Sequence, residues 1–339
     1  MPDSASAIGL LYHYTSDVGL QGIIESDRIW ATHVRFLNDY TEFRQAFNEV
    51  YVEALTEAFR EGLPTDIDSM ARSVIDGLLS NRNRRSILKI IEDSGLATDA
   101  FVCSFTTLPQ PGPDPGDRLS QWRGYSHSTQ GFSLGFDKVL LENQIALDNP
   151  GAKASVLECI YEDAEKLSFF QDMGQNACAR FNERWLQRTE PVPPGFTTNN
   201  PAATEDYMKA SSYFLKSLSE ATAKFFTTAA RIKDSGFREE CEWRIDLQAR
   251  RDALVRSGFL KFRNGQFGQT PFVEIPLGLT TGATSPLRRI VVGPGAHKDD
   301  MKRWVELLLE TRGIAVKSGN RPDFKDGIEV AVSVIPYRS

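Results

Sequence analysis

The stretch Phe237-Arg238-Glu239-Glu240-Cys241-Glu242-Trp243-Arg244-Ile245 decides how this sequence is read. Read as a strand over 237–247, it alternates. Cys241, Trp243 and Ile245 take the core face, while Glu240, Glu242 and Arg244 share the other. Two neighbouring carboxylates raise each other's pKa and the guanidinium lowers it. Such a row is costly unless it binds something, or unless it is a solvated face with a cross-strand salt bridge.

Outward from this stretch the strands are dispersed. The patterns predict strands over 10–14, 28–32, 100–106, 131–136, 155–161, 272–275 and 287–292, with two more near 316 and over 330–335. Helical spacing predicts helices over 17–24, from 38 to about 60, and over 67–79, 85–94, 163–188, 204–232 and 299–312. Ser16 or Asp17 is the N-cap candidate of the first. Pro111, Pro113 and Pro115 make 109–116 a loop. The last strands and helix read as a β-α-β unit. The expectation is one α+β domain over 1–339, with helical insertions at about 40–95 and 163–232.

Composition removes several classes of function. Of 339 residues, 39 are Lys or Arg and 45 Asp or Glu, a formal charge of −6, which opposes a surface built to coat nucleic acid or anionic lipid. No apolar run reaches the roughly 18 residues a membrane helix needs, and Met1–Leu11 lacks a signal-peptide pattern. The reading is a cytoplasmic protein with no membrane partner. Cys103, Cys159, Cys178 and Cys241 show no CxxC spacing and read as reduced thiols. The scattered His13, His33, His127 and His297 contain no HExxH, and there is no P-loop, so no metal is expected.

Two further segments carry candidate chemistry. In Leu119-Ser120-Gln121-Trp122-Arg123-Gly124-Tyr125, the aromatics Trp122 and Tyr125 suit a wall for a flat cationic ring, or plain core packing. In Tyr12-His13-Tyr14-Thr15, a histidine on a strand suits donation to sugar hydroxyls, or a structural hydrogen bond. Ser104 and Thr106 share one strand face, as pocket polars or cross-strand hydroxyls. Gly131-Phe132-Ser133-Leu134-Gly135 matches GxSxG, but Ser133 sits inside the alternation, which opposes a nucleophile elbow. Gly293-Pro294-Gly295 lacks the third glycine of a dinucleotide fingerprint. The cluster Arg82, Arg84, Arg85 reads as a solvated helix start or a phosphate contact.

Taken in order, Leu11–Thr15, Phe36–Asp39, Val102–Phe105, Trp122–Tyr125 leading into Gly131–Phe136, Glu240–Arg244 and Val334–Arg338 resemble the bacterial family catalogued as domain of unknown function 2971. That family is in turn distantly similar to ADP-ribosyltransferases. The resemblance implies a split β-sheet core and NAD as substrate, with no metal. His13 would be the first motif, with Tyr14 and Thr15 beside it. The second would be Tyr125 with Trp122, or else Ser104. The third is Glu240 and Glu242, with Glu242 catalytic. Arg123 or Arg244 would meet the pyrophosphate or position Glu240. The implied role is modification of a macromolecular acceptor, protein or nucleic acid, as in a toxin or phage-defence effector. An NAD glycohydrolase and a non-catalytic binding module on the same fold are the alternatives.

Overall fold

The structure is a computed structural model. It describes residues 9–37, 52–65, 67, 69–80, 98–108, 112–125, 130–147, 153–187, 205–223, 231–265, 268–317 and 327–336. The expected helix at 85–94, the arginine cluster at 82–85 and the Asn38-Asp39 start lie outside the described residues. The chain divides into two compact units, one of residues 1–36, 100–159 and 236–339, the other of 37–99 and 160–235. The segments expected as helical insertions belong to the second.

The first unit is built on a ten-stranded sheet, a mixed α+β arrangement. Its strands are β1 (Leu11–Ser16), β2 (Arg28–His33), β3 (Thr98–Thr106), β4 (Gly131–Phe136), β5 (Lys153–Glu158), β6 (Glu242–Arg250), β7 (Lys261–Gly265), β8 (Gly268–Pro276), β9 (Leu287–Val292) and β10 (Glu329–Val332). The main path runs β10-β9-β4-β1-β3-β2-β8-β7, and β6 pairs with both β3 and β5. β10 lies parallel to β9, whereas β1 is antiparallel to β4 along its whole length. The parallel pair is joined through a helix, as the terminal β-α-β reading requires. β3 has three partners, so the sheet branches there, and β1 meets it only at Tyr12↔Thr106.

The helices in chain order are α1 (Asp17–Ser26), α2 (Val52–Gly62), α3 (Ser69–Leu79), α4 (Leu119–Tyr125), α5 (Lys138–Leu147), α6 (Asp163–Gln187), α7 (Glu205–Ala223), α8 (Arg251–Ser257) and α9 (Lys298–Thr311). Ser16 caps α1 by accepting from the Gly19 amide. The core of the first unit gathers alternate residues of several strands, including Phe101, Cys103 and Phe105 of β3, Phe132, Leu134 and Phe136 of β4, and Trp243, Ile245 and Leu247 of β6.

β4 is buried on both faces. Its small residues face Tyr12 and Tyr14: a Cβ on Gly135 would stand 2.8 Å from the Tyr12 ring. Ser133 pairs with Tyr14 in the strand interior at zero exposure, so the GxSxG match is a packing pattern rather than an elbow. Gly293 has the same cause, since a Cβ there would stand 2.9 Å from the Gly131 carbonyl and 3.1 Å from the Trp122 ring.

The second unit packs α2, α3, α6 and α7. In α6, Phe170, Met173, Gly174, Ala177, Cys178, Phe181 and Trp185 keep helical spacing and are buried. Phe59 meets Phe181 and Phe214 at ring distances of 5.8 and 5.1 Å. Arg184 binds both carboxylate oxygens of Glu220, at 2.8 and 2.7 Å.

The strand predicted over 237–247 begins later. Residues Ser235–Glu240 form a 3-10 turn, Cys241 takes φ 44°, and β6 starts at Glu242. The turn is closed by the Cys241 amide, which donates to the Arg238 carbonyl three residues back, and the Cys241 carbonyl accepts from the Thr107 amide. Cys241 is therefore partly exposed instead of facing the core. The segment 119–125, expected at a strand edge, is helix α4.

Candidate functional site

One cavity of the first unit, about 100 Å³, opens where the sheet branches. It is lined by His13 and Tyr14 of β1, Ser104, Phe105 and Thr106 of β3, Gln121 and Tyr125 of α4, and Glu240 and Glu242 around the start of β6. Residues up to 229 positions apart in the chain thus share one wall, because β1, β3 and β6 converge at the branch.

His13 is partly buried, and its Nδ1 lies 2.9 Å from the Ser104 carbonyl oxygen. A carbonyl only accepts, so Nδ1 carries the proton. Burial holds the pKa of His13 below its ordinary value, and the Ser104 bond opposes this more weakly. The neutral ring then leaves Nε2 with a lone pair. Of the two readings of this histidine, donor to a sugar or structural hydrogen bond, the bond to Ser104 is the structural one, and Nε2 carries no proton to donate.

Glu242 is 4% exposed and Arg244 3%, so the face expected to be open is buried. Arg244 Nε donates to Glu242 Oε1 at 2.7 Å and Nη2 to Oε2 at 3.2 Å. This fork fixes the carboxylate and balances its charge. Arg244 is consequently a partner of Glu242 and does not line the cavity.

Glu240 reaches the same cavity from the 3-10 turn rather than from the strand. Its carbonyl accepts from Thr106 Oγ1 at 2.5 Å and Arg118 Nη1 at 3.4 Å, while Arg118 Nη2 donates to the Glu239 carbonyl.

The opposite wall is α4, held in place by the loop before it. Tyr14 donates its hydroxyl proton to the Pro115 carbonyl at 2.8 Å and accepts from the Arg118 amide at 3.1 Å. Asp117 accepts from Trp122 Nε1 at 2.8 Å, from Ser333 Oγ at 2.6 Å and from the Val334 amide at 2.8 Å. Arg289 ties Asp114 and the Tyr12 hydroxyl together, at 2.7 and 3.2 Å. This web seats Trp122 edge-on against Tyr14 at 4.6 Å and leaves Tyr125 at the mouth, 44% exposed.

Of the residues expected at a site, His13, Tyr14, Ser104, Tyr125, Glu240 and Glu242 meet at this cavity, and Trp122, Arg123, Thr15 and Arg244 do not. Trp122 is core, 3% exposed, because Asp117 draws its indole inward. Arg123 is exposed on the outer side of α4. Thr15 lies against Gly19 at the start of α1. The sequence reading missed Gln121, Phe105 and Arg118. The one local signal was Asp117-Arg118 just ahead of a short helix, which reads as a capping pattern before it reads as a site. Among the described residues, no group of three or more His, Cys, Asp or Glu could hold a metal ion, and no helix is long and apolar enough to cross a membrane.

Residues 121–245 match a family model described as Protein of unknown function (DUF2971). The match includes Gln121, Tyr125, Glu240 and Glu242, whereas His13, Tyr14 and Ser104–Thr106 precede it. Comparison with curated proteins and with solved structures found no match.

Proposed function

We propose that the cavity receives the nicotinamide–ribose end of NAD, and that the protein is an NAD-dependent ADP-ribosyltransferase acting on a macromolecular acceptor. The observation that carries this reading is the meeting of His13, Tyr125 and Glu242 at one cavity. The branch of the sheet at β3 supports an ADP-ribosyltransferase-like split core.

The size of the cavity suits part of the ligand. About 100 Å³ is of the order of the roughly 150 Å³ engineered cavity that accepts benzene. A single ring fits, with the ribose against Glu242 and His13 and the rest of the dinucleotide outside the cavity. Nicotinamide is cationic while attached, so the rings of Tyr125 and Phe105 favour it.

In the reaction, the bond between C1′ and the nicotinamide nitrogen breaks, and its electron pair leaves with neutral nicotinamide. The sugar passes through an oxocarbenium-like state. Glu242 stabilises that charge while bonding a ribose hydroxyl. Arg244 donates to both carboxylate oxygens and holds Glu242 in place for this. The acceptor's lone pair then forms the new bond to C1′, and Glu240 takes the acceptor's proton. His13 Nε2 accepts from a sugar hydroxyl.

A second reading is a non-catalytic binding module. The specific observation in its favour is the buried fork of Arg244 on Glu242, which already gives that carboxylate a structural partner.

The test is to incubate the full chain with NAD labelled on its adenylate, with and without cell lysate, and follow nicotinamide release and label. Transfer predicts release together with a labelled macromolecule. In Glu240→Gln, release should persist while labelling is lost. Equal release with and without lysate and no labelled acceptor would identify a glycohydrolase. No release under any condition would favour the binding module.

A further inference from the structure

The sheet that carries the cavity also carries a cation set among aromatic rings. Arg263 of β7 is partly buried, and its guanidinium carbon lies 5.3 Å from the Trp30 ring centroid and 5.9 Å from that of Phe272. Trp30 and Phe272 are themselves 4.6 Å apart. Nη2 donates to Thr32 Oγ1 at 2.8 Å. Among the described residues no carboxylate pairs with Arg263. The nearby Glu274 is taken by Lys261 at 2.8 Å and Arg28 at 3.8 Å. Burial lowers the pKa of Arg263, so its surroundings disfavour the lone charge. An anion would reverse that cost, and a guanidinium has five N–H donors of which one is used here.

The register connects this group to the cavity. β2 and β3 pair at Thr32↔Val102 and His33↔Phe101. β2 neighbours β3 in the sheet, so Trp30 and Ser104, which lines the cavity, stand on adjacent strands. Thr32, Trp30, Val102 and Ser104 share a face by alternation, and so do Phe272 and Lys261, which are paired directly, with Arg263 two residues on. Neighbouring strands lie about 4.8 Å apart. The step from Ser104 to Trp30 is thus one strand, and Arg263 reaches back over that ring. Trp30 is 44% exposed, so its outer face is open.

We propose that Arg263 binds the diphosphate of the ADP half of the dinucleotide, and that Trp30 supplies the surface on which the adenine stacks. This rests on the reading of the cavity as the nicotinamide–ribose site and extends it along the same sheet face. The two halves are complementary in kind. The cavity wall carries carboxylates suited to a cationic ring and sugar hydroxyls, and the outer face carries the Arg263 guanidinium over two aromatic rings, suited to phosphates and a flat base.

The experiment is titration calorimetry of the full chain with ADP, alongside a nicotinamide-release assay with NAD. Wild type should bind ADP. Arg263→Gln should weaken it at least tenfold, and Arg263→Lys by less, since charge is kept and the planar fork lost. Trp30→Leu should weaken ADP more than inorganic pyrophosphate. In turnover, Arg263→Gln should raise KM for NAD and leave kcat nearly unchanged. Thermal melts of the Lys variant check that binding is not lost through unfolding. ADP affinity unchanged in both Arg263 variants, or no ADP binding by wild type at millimolar concentration, would overturn the subsite. The two readings fail separately. Nicotinamide release with a KM insensitive to Arg263 leaves the cavity standing and removes this subsite. Arg263-dependent ADP binding with no release supports the subsite and removes the transferase.

Discussion

His13 and Ser104 are joined by a bond of 2.9 Å between a ring nitrogen and a main-chain carbonyl, just beyond Tyr12↔Thr106, the pair at which β1 meets β3. The side chain thereby bridges the two strands at the branch, where the cavity forms. It also fixes which nitrogen carries the proton, and so what His13 can offer a ligand.

The burial of His13 gives a pH dependence whose sign is fixed. Burial depresses the folded-state pKa of His13 below the ordinary 6.5. Between that value and the folded pKa, the unfolded chain binds more protons. Stability is therefore full above about pH 6.5 and is lost as pH falls through the folded pKa, by at most about 1.4 kcal/mol per pH unit. Denaturant midpoints at pH 7.5 and 5.5 should show a smaller drop in His13→Asn, whose amide can still donate to Ser104. An unchanged drop would remove His13 as the cause.

Glu242 and Arg244 should separate catalysis from folding. Glu242→Gln takes from the buried Arg244 guanidinium the carboxylate that it forks, and breaking such a pair costs about 3–5 kcal/mol. Nicotinamide release should also fall by about 10²–10³. Replacing both residues, as Glu242→Gln with Arg244→Met, should recover much of the melting temperature and none of the release. NAD turnover at the wild-type rate in a folded Gln variant would sink the catalytic role.

Cys241 should be the first thiol to react in the native protein. It is partly exposed, whereas Cys103, Cys159 and Cys178 are buried. Burial pushes the Cys178 thiol up to about 11 and Cys103 higher still. Mass spectrometry after brief alkylation should find a single adduct, absent from Cys241→Ser. Its backbone adds a second check. At φ 44° a β-branched residue is strained, so Cys241→Val should cost about 1–3 kcal/mol and Cys241→Gly much less.

Gly293 should tolerate no side chain. A Cβ would press on the Gly131 carbonyl and the Trp122 ring, neither of which can retreat without moving β4 or α4. Gly293→Ala should destabilise by about 1–3 kcal/mol. Because Trp122 packs on Tyr14, ligand affinity at the cavity should fall with it. A variant as stable as wild type would show that Trp122 is loosely held.

The sequence by itself determined most of the strands of the sheet, the terminal β-α-β unit and the alternation of β6, because these follow from local periodicity. Trp243, Ile245 and Leu247 face the core as their spacing requires. It also singled out His13, Ser104, Tyr125 and Glu242 as polar or aromatic residues set against apolar strands. Tertiary structure alone decided the rest. The break before Glu242 arises from bonds made by Thr106, Thr107 and Arg118, which lie more than 120 positions away, and no local pattern encodes them. The inward turn of Trp122 depends on Asp117, itself held by Ser333 near the other end of the chain. The pairing of Arg244 with Glu242 was open to sequence only as proximity; burial on both side chains made it a clamp, since two charges withdrawn from water are held together or not at all.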